Sequence, residues 1–543
     1  MKFFYKAFLV ILASLFFACA HPGLIFEDGC AFFGFIALAP VFILVKKSSV
    51  RSAWFWGALY GMSSYGLLCY WLAAFNPFTI YIGMAAFALI LALVFEAMSF
   101  VKSLFNKKSV YVMALLWCVY EYLKTKGFLG FSYGIMGYSL WKSTVLLQSS
   151  SFGGVWYESA LCAGVSALIA DCVLSFRVFL PRFSLVPVLK RFALPISVLA
   201  AAFSFSLVYG FIRLNVDEGA VKKINVVCVQ NNTDSNKYGP DVYKRDVSNL
   251  VRLTDEALSA FPETDIVLWP ETAVVPPIEY NFAEKKDEGR YQMVLSLMDY
   301  FSRNDVCFVL GNQRTLTTPE NEGDYNAALV FDRRKTGFLP PEPEVYAKIH
   351  LVPFTEYFPF AGIFPRFYKL LLNGDSRLWS PGSEAKVFEF RNLTFSTPIC
   401  FEDSFGNLCR TFVVNGAECL FSLSNDSWSQ SRPCQKQHLS MSVFRCTENA
   451  VPAARSTASG VTCIIDGRGR IVSESPQFEE NYVRGAIPVP LNRKSTLYTL
   501  IGDWIPAVEM ILLFLAVLIR VFQKISVKIR LKPVERGAGN KVL

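Results

Sequence analysis

The sequence predicts a membrane protein built from two parts, a polytopic α-helical membrane domain and a large α/β domain outside the bilayer. Of its 543 residues, 53% are hydrophobic and only 18% are charged, and the mean hydropathy is +0.35. These values are more apolar than those of an ordinary soluble protein of this length. Long apolar segments fill the first 215 residues and recur once near the carboxyl end, whereas the region between them has a β-rich pattern.

About eight apolar segments match the length of a transmembrane helix. They are residues 4–20, 29–45, 54–75, 78–101, 109–123, 154–180, 192–213 and 499–521. Basic residues cluster after the even-numbered segments, as the positive-inside rule requires of cytoplasmic loops. Lys124, Lys126 and Lys142 are the exception. Both termini are therefore predicted to be cytoplasmic, and the net charge of +9 reflects topology rather than a nucleic-acid partner.

This topology divides the chain into four regions. They are a seven-helix transmembrane domain (1–215), an extracytoplasmic domain (222–495), a final transmembrane helix (499–521) and a basic cytoplasmic tail (522–543). Within the first region, residues 127–157 are rich in glycine and aromatic residues, which favours a re-entrant or interfacial segment. A cleaved signal peptide is the alternative for the first segment, because Ala18-Cys19-Ala20 offers small residues after an apolar run.

The region 222–495 alternates short β-rich runs with helical stretches. The predicted strands are Ile224 to Val229, Asp265 to Trp269, Val306 to Leu310, Ala327 to Phe331, Leu393 to Ile399, Glu418 to Ser424 and Thr462 to Ile465. Helices are predicted over 241–260, 290–303 and 435–449. Such alternation predicts an α/β domain with a largely buried sheet, and about 270 residues suffice for a core of its own.

Neither a metal nor a cofactor is predicted. The fourteen cysteines form no C-x-x-C pair, and with three histidines the usual zinc spacings cannot be built. The glycines of Asp466-Gly-Arg-Gly-Arg470 lack the strand-to-helix context of a phosphate-binding loop. Disulfides among the eight cysteines after residue 222 are left open, because one sequence does not give their connectivity.

Three polar residues stand in or directly after apolar runs and together suit nucleophilic chemistry. Glu271 and Cys400 each follow a predicted strand, and Lys348 lies in Val345–Pro353. A thiol needs a base to become a thiolate, and a buried carboxylate serves as one. A lysine lowers the thiol pKa and stabilises the oxyanion of a tetrahedral intermediate. His350 is the alternative base, since in an extended run it projects to the same face as Lys348.

The domain resembles the nitrilase, or carbon–nitrogen hydrolase, superfamily, whose members carry a Glu-Lys-Cys triad on an α-β-β-α sandwich. The string Tyr346–Pro359, together with Trp269-Pro-Glu-Thr272, Ile399-Cys-Phe-Glu402 and Ser424-Asn-Asp-Ser-Trp428, looks like the signature of the apolipoprotein N-acyltransferase family. The resemblance covers nearly the whole chain. It implies that Glu271 is the general base, Lys348 the oxyanion-stabilising cation and Cys400 the nucleophile, with Glu356 and Glu402 in supporting roles. Phe401 departs from the tyrosine common at that position.

The resemblance further implies a reaction, two lipid partners and a location. The reaction would be ping-pong transfer of a fatty-acyl chain from a membrane phospholipid to the amino terminus of a diacylglyceryl-modified apolipoprotein. The protein would lie in the bacterial inner membrane, with its catalytic domain on the periplasmic side. The alternatives are a membrane-tethered nitrilase-like amidase and a transporter or scaffold with an inactive domain. Aromatic and basic residues of Thr355–Trp379 predict an interfacial lid, with a packed insertion as the alternative.

Overall fold

The computed structural model describes residues 2–75, 77–179, 185–217, 219–234, 239–318, 321–372 and 377–530. Its amino-terminal part is helical, because uninterrupted apolar runs satisfy their backbone hydrogen bonds within the segment. The helices of this part are α1 (Lys2–Ala20), α2 (Ala31–Ile36), α3 (Leu38–Lys47), α4 (Val50–Leu68), α5 (Leu72–Phe75), α6 (Pro77–Phe105), α7 (Ser109–Leu123), α8 (Thr144–Leu147), α9 (Ser150–Gly153), α10 (Val155–Phe179) and α11 (Leu185–Asn215).

Five helices of the described chain are long and apolar enough to cross a membrane. They contain Phe3–Ala20, Pro77–Phe105, Val155–Ser175, Arg191–Asn215 and Trp504–Ser526, and the apolar helix α7 is shorter. The segment predicted at 29–45 is divided at Ala37 into α2 and α3. The chain is therefore a membrane protein, while the count of eight spans remains a prediction. Residues 531–543 of the predicted tail lie outside the described residues.

The helix ends form two opposite faces of this domain. On one face, Lys46 donates to the carbonyl of Asn106 and Lys102 to that of Val45, which ties together the loops after α3 and α6. The other face carries the carboxyl ends of α1 and α4, where the carbonyls of Pro22 and Leu68 accept hydrogen bonds from the second domain. The α/β domain thus sits on the face opposite to Lys46 and Lys102.

Two six-stranded sheets form the centre of the second domain. Their orders are β14-β1-β2-β3-β4-β7 and β13-β12-β11-β10-β9-β8, and β5 and β6 form a separate hairpin. The strands are β1 (Val221–Gln230), β2 (Ile266–Leu268), β3 (Cys307–Thr318), β4 (Asn321–Phe331), β5 (Gly337–Phe338), β6 (Pro341–Glu342), β7 (Glu344–Ala347), β8 (Phe388–Phe390), β9 (Leu393–Ser396), β10 (Cys419–Ser424), β11 (Ala453–Thr457), β12 (Cys463–Ile465), β13 (Ile471–Glu474) and β14 (Asn481–Pro490).

The two sheets pack face to face, with helices on both outer faces. Alternation along β1 sends Val226 and Cys228 into the core between the sheets, and Val227 and Val229 into a second core under the outer helices. Ser456 joins the sheets by donating to the carbonyl of Val229. The remaining helices are α12 (Pro240–Ala260), α13 (Ile278–Glu284), α14 (Glu288–Arg303), α15 (Pro365–Leu372), α16 (Gly406–Val414), α17 (Arg432–Asn449), α18 (Leu497–Ile501) and α19 (Trp504–Arg530).

This architecture is the α-β-β-α sandwich that the resemblance implied. Each of the seven predicted strands and three predicted helices corresponds to an element of the structure, whereas the other seven strands, β5, β6, β7, β8, β11, β13 and β14, were not predicted. All fourteen cysteines lie among the described residues, and each is a free thiol.

Helix α17 connects the two domains. Gln437 donates to the carbonyls of Pro22 (2.7 Å) and Leu68 (3.1 Å) and accepts from the indole N–H of Trp71 (3.2 Å). At the other end of the helix, Glu448 accepts from the backbone N–H of Val155 (3.0 Å). The segment 127–157 contributes to the same contact, because the Tyr138 hydroxyl accepts from Arg445 (3.2 Å).

Candidate active site

Glu271 lies just beyond β2, held by a close approach of two backbone segments. Gly311 of β3 donates its N–H to the carbonyl of Pro270 (3.1 Å). A Cβ at Gly311 would lie 2.5 Å from the Cα of Glu271, so the contact requires glycine. The next residue, Thr272, turns the chain with a φ of +49°. The backbone contact with β3 therefore holds the backbone of Glu271 in place at the end of β2.

Lys348 follows β7 and forms the centre of a buried ion cluster. Its Nζ lies 3.1 Å from Oε1 of Glu271 and 2.9 Å from Oε1 of Glu356, and its side chain has no exposed surface. Burial lowers the pKa of Lys348, but the carboxylates of Glu271 and Glu356 outweigh it and hold the pKa well above the usual value. The lysine is therefore a fixed cation between two carboxylates.

Cys400 occupies a strained turn at the end of the second sheet. Its φ is +51°, in the left-handed region that non-glycine residues rarely adopt and that recurs at functional sites. It opens a 3-10 turn, Cys400–Ser404, directly after the bridge between Ile399 and Leu423 of β10. Cys400 as a whole is half-buried.

The electrostatics keep Cys400 in its thiol form at rest. Burial and the Glu271 carboxylate raise its pKa well above the usual value, and Lys348 opposes this only in part. Lys348 between two carboxylates gives the cluster a net charge of minus one, which disfavours a second anion. A thiolate therefore forms only as a base removes the proton, and Glu271 is the carboxylate that most strongly influences this thiol.

Glu402 supports the turn that carries Cys400. One carboxylate oxygen accepts from the Tyr346 hydroxyl (2.7 Å) and from the backbone N–H groups of Ile349 (2.7 Å) and His350 (3.1 Å). The other oxygen accepts from the N–H of Ile399 (2.8 Å). Burial raises the pKa of Glu402 to about 7. The side chain thus links the Cys400 turn to the loop after Lys348.

Two groups of the site were missed in the sequence. Asn326 donates to Oε1 of Glu271 (2.7 Å), and the backbone N–H of Asn425 donates to Oε2 (2.9 Å). The sequence signal for Asn326 was its position as a polar residue directly before the apolar run Ala327–Phe331. His350, the alternative base, instead packs its ring against Phe405, with centroids 4.6 Å apart. The structure thus brings Glu271, Lys348 and Glu356 together and leaves His350 to contribute a backbone donor.

Aromatic side chains of the loop after Lys348 pack against Phe128 of the segment 127–157. Phe128 contacts the rings of Phe354 (5.3 Å), Phe358 (6.3 Å) and Phe360 (6.0 Å). No residue of α15 is buried, and Ile363 and Leu370 are 70% and 73% exposed. The packed insertion considered for this segment is therefore wrong for α15. Within the described chain, no cluster of three His, Cys, Asp or Glu residues is arranged to bind a metal.

Two family models and several curated relatives match this chain. Residues 228–494 match the family model for carbon–nitrogen hydrolase, and residues 11–168 match that for the apolipoprotein N-acyltransferase N-terminal domain. Apolipoprotein N-acyltransferase 1 of Treponema denticola is 35% identical over 93% of this chain and 94% of its own length. Apolipoprotein N-acyltransferase 1 of Treponema pallidum is 40% identical over 89% of each chain.

The sandwich fold and the carbon–nitrogen hydrolase match define a membrane-bound enzyme of the nitrilase class. The similarity along nearly the full length identifies the family within that class. The chain belongs to the apolipoprotein N-acyltransferase family.

Proposed function

We propose that this enzyme transfers a fatty-acyl chain from a membrane phospholipid to the α-amino group of the N-terminal S-diacylglyceryl cysteine of apolipoproteins. Catalysis is ping-pong, through a thioester on Cys400. The observation that carries the proposal is the buried Glu271–Lys348–Glu356 cluster beside a strained cysteine, in a chain of the N-acyltransferase family.

In the first half-reaction, Glu271 takes the proton of the Cys400 thiol as the sulfur attacks the ester carbonyl of the phospholipid. The transfer leaves the net charge of the site unchanged. The Glu271 carboxylate becomes a neutral acid, and its negative charge passes through the sulfur to the oxygen of the tetrahedral intermediate. Collapse of the tetrahedral intermediate breaks the carbon–oxygen bond, and Glu271 returns its proton to the departing oxygen, which becomes a hydroxyl group of the lysophospholipid.

In the second half-reaction, the amine of the diacylglyceryl cysteine attacks the thioester. The new carbon–nitrogen bond forms as the carbon–sulfur bond breaks, and Glu271 moves the amine proton to the Cys400 sulfur. The product is an N-acylated, triacylated lipoprotein, and the free thiol is restored.

Two donors suit the oxyanion formed in both halves. Lys348 carries three N–H donors, and Glu271 and Glu356 take two of them. The backbone N–H of Phe401 has no acceptor within the part of the chain that the structure describes. Both groups adjoin Cys400, and a pre-positioned pair of donors of this kind lowers the barrier to acyl transfer.

The exposed apolar surface on and beside α15 supports access by lipid. Helix α15 exposes Ile363, Phe364 and Leu370 alongside Arg366 and Lys369, a composition suited to the interfacial layer of a bilayer. Its neighbour Phe360 contacts Phe128 of the segment 127–157. We infer that this lid admits lipid chains and disfavours water, which favours an amine acceptor over hydrolysis.

An apolar groove between α6 and α7 supports the same inference. Its volume is about 510 Å³. Leu93, Leu116 and Leu129 line it, and Lys124 and Lys126 lie at one end. A phospholipid would place its acyl chain along the leucines and its phosphate near the lysines.

We assign the enzyme to the bacterial inner membrane, with residues 222–495 on the periplasmic side and Glu271, Lys348 and Cys400 as the catalytic residues. Basic residues such as Lys46 and Lys102 lie on the helix face opposite to this domain, which favours a cytoplasmic position for that face. The proposal retains eight spans, with residues 1–215 as the seven-helix domain.

The test is a trapping experiment on the full-length enzyme in vesicles that contain phospholipid with a labelled acyl chain. We expect a hydroxylamine-sensitive label on Cys400 that Cys400→Ala abolishes and that Cys409→Ala, a change at a fully buried thiol, retains. A diacylglyceryl peptide should then discharge the label as N-acyl peptide.

Absence of label from Cys400, or its persistence in Cys400→Ala, would overturn the mechanism. Discharge only to water, with the peptide left unacylated, would assign the chain to the membrane-tethered amidases instead.

A further inference from the structure

Behind the Cys400 turn lies a second cluster of charged side chains, formed by Asp403, Asp426, His438 and Arg455. All four are buried, with Arg455 only 1% exposed. The imidazole Nδ1 of His438 lies 2.9 Å from Oδ1 of Asp426, and Nε2 lies 2.7 Å from Oδ1 of Asp403. Arg455 pairs with Oδ2 of Asp426 at 3.0 Å and with Asp403. Each carboxylate therefore contacts both cations.

The four charges of the cluster sum to zero. Burial and Arg455 lower the pKa of His438, but Asp403 and Asp426 together raise it to about 9. Both carboxylates have a pKa below the usual value because the two cations outweigh the effect of burial. Two anions and two cations thus cancel, which is the condition under which buried charges are tolerated.

One contact links this cluster to the nucleophile. Nε2 of His438 lies 3.0 Å from the backbone carbonyl oxygen of Cys400 and donates a hydrogen bond to it. In a planar trans peptide the N–H points opposite to the carbonyl. The bond from His438 therefore directs the N–H of Phe401 away from the cluster, and it fixes the residue whose φ is +51°.

A second contact links the cluster to the base. Asp426 accepts from Ser424 (3.0 Å) and directly follows Asn425, whose backbone N–H donates to Oε2 of Glu271 (2.9 Å). The turn that bonds the base and the turn that carries the nucleophile are thus attached to the same imidazole.

We propose that His438 is a positioning residue for acyl transfer, holding the Cys400 carbonyl so that the thiol and the Phe401 N–H face the acyl carbonyl. This role rests on the proposed function of Cys400. The two aspartates and Arg455 fix the ring, and Nε2–H makes the contact with Cys400. His438 touches neither substrate, so its loss slows the chemistry and leaves phospholipid binding intact.

The test compares two double variants of the full-length enzyme, His438→Gln/Asp403→Asn and His438→Leu/Asp403→Asn. Both remove one cation and one anion, so the cluster stays neutral in each. The glutamine side chain retains an N–H donor close to the position of Nε2, whereas the leucine side chain has none. The two variants therefore differ in the bond to the Cys400 carbonyl and are matched in charge.

We expect thioester formation at saturating labelled phospholipid to be at least about tenfold faster in the glutamine variant, with similar KM and similar Tm. The pH profile of Cys400 alkylation by iodoacetamide, read by mass spectrometry, should differ between them as well. Equal acylation rates and equal alkylation profiles, or a rate difference that follows Tm, would overturn the role of His438.

The alkylation measurement uses no phospholipid. If wild-type Cys400 forms no thioester, the proposed function fails, and the alkylation profiles still decide whether His438 sets the geometry of the thiol.

Discussion

The Nζ of Lys348 lies 3.1 Å from Oε1 of Glu271, and that same oxygen accepts 2.7 Å from Asn326. Oε2 of Glu271 accepts only the backbone N–H of Asn425 among the described residues. A carboxylate oxygen has two lone pairs, so Oε2 retains capacity to accept a proton from a thiol or an amine. The ion pair fixes the position of the Glu271 carboxylate, and under the proposed mechanism Oε2 is the oxygen that takes the proton.

The base is tested by Glu271→Gln. The amide keeps the size of the side chain and loses its proton affinity, so single-turnover thioester formation should fall about 10²- to 10⁴-fold, with phospholipid binding unchanged. Glu279→Gln is the matched control, because Glu279 is partly buried and paired with Arg314 away from the site. An equal loss in both variants would assign the effect to folding.

The backbone contact at Gly311 predicts a large effect from one methyl group. In Gly311→Ala the new Cβ would overlap Glu271 and Thr272, and overpacking of this kind costs about 1 to 3 kcal/mol. Acylation should fall while much of the fold survives. Gly289→Ala in α14, where the nearest atom lies at an ordinary 3.4 Å, should retain full activity and a wild-type Tm.

The buried pair Arg445–Glu448 predicts an asymmetry between single and double variants. The two side chains are 3.0 Å apart and almost fully buried. Arg445→Met leaves an unpaired buried carboxyl and should destabilise the protein by about 3 to 5 kcal/mol. Arg445→Met/Glu448→Met removes both charges and should recover part of that loss in thermal unfolding. A double variant no more stable than the single one would contradict this account.

The histidine cluster predicts a dependence of stability on pH. The pKa of His438 is about 9 in the folded protein and about 6.5 when unfolded. The stabilisation of the folded protein by protonated His438 is fully present below pH 6.5 and disappears as the pH rises through 9. The difference corresponds to about 3 kcal/mol. Thermal unfolding between pH 6 and 10 should show a decline that His438→Gln flattens.

The lid is tested by charge on its exposed apolar surface. Leu370→Asp should reduce acylation from phospholipid vesicles, because the carboxylate opposes insertion into the interface. Acylation by a water-soluble short-chain ester should be spared. Leu339→Asp is the control, since Leu339 is 61% exposed in the turn between β5 and β6. Equal losses with both donors would contradict a lipid-facing lid.

Glu271, Lys348 and Cys400 could be singled out from the sequence because each stands in or directly after an apolar run, which is a local signal. Asn326 could not be singled out in this way. The predicted strand began one residue later, at Ala327, and the role of Asn326 depends on its contact with Glu271, 55 positions away. Strand β11 was missed for a related reason. Arg455 makes its sequence look polar and solvent-exposed, and its burial requires Asp403 and Asp426 from distant turns.

Helix α17 illustrates the same limit. The helix over 435–449 was predicted, but residues such as Gln435, Lys436 and Gln437 indicate a solvated surface. In the structure nearly every residue of the helix is buried. The polar groups meet partners in the membrane domain and in the sandwich, and neither set of partners is visible in the local sequence.

Two adjacent residues of helix α17 contact different domains of the protein. Gln437 donates to the carbonyls of Pro22 and Leu68 at the ends of the membrane helices. His438, one position later, donates to the backbone carbonyl of Cys400. The two halves of the chain are consequently poor modules for exchange. A chimera that joins this sandwich to the helices of a distant relative would have to preserve the contacts of Gln437 with Pro22 and Leu68, or the displaced helix would shift Cys400 relative to Glu271.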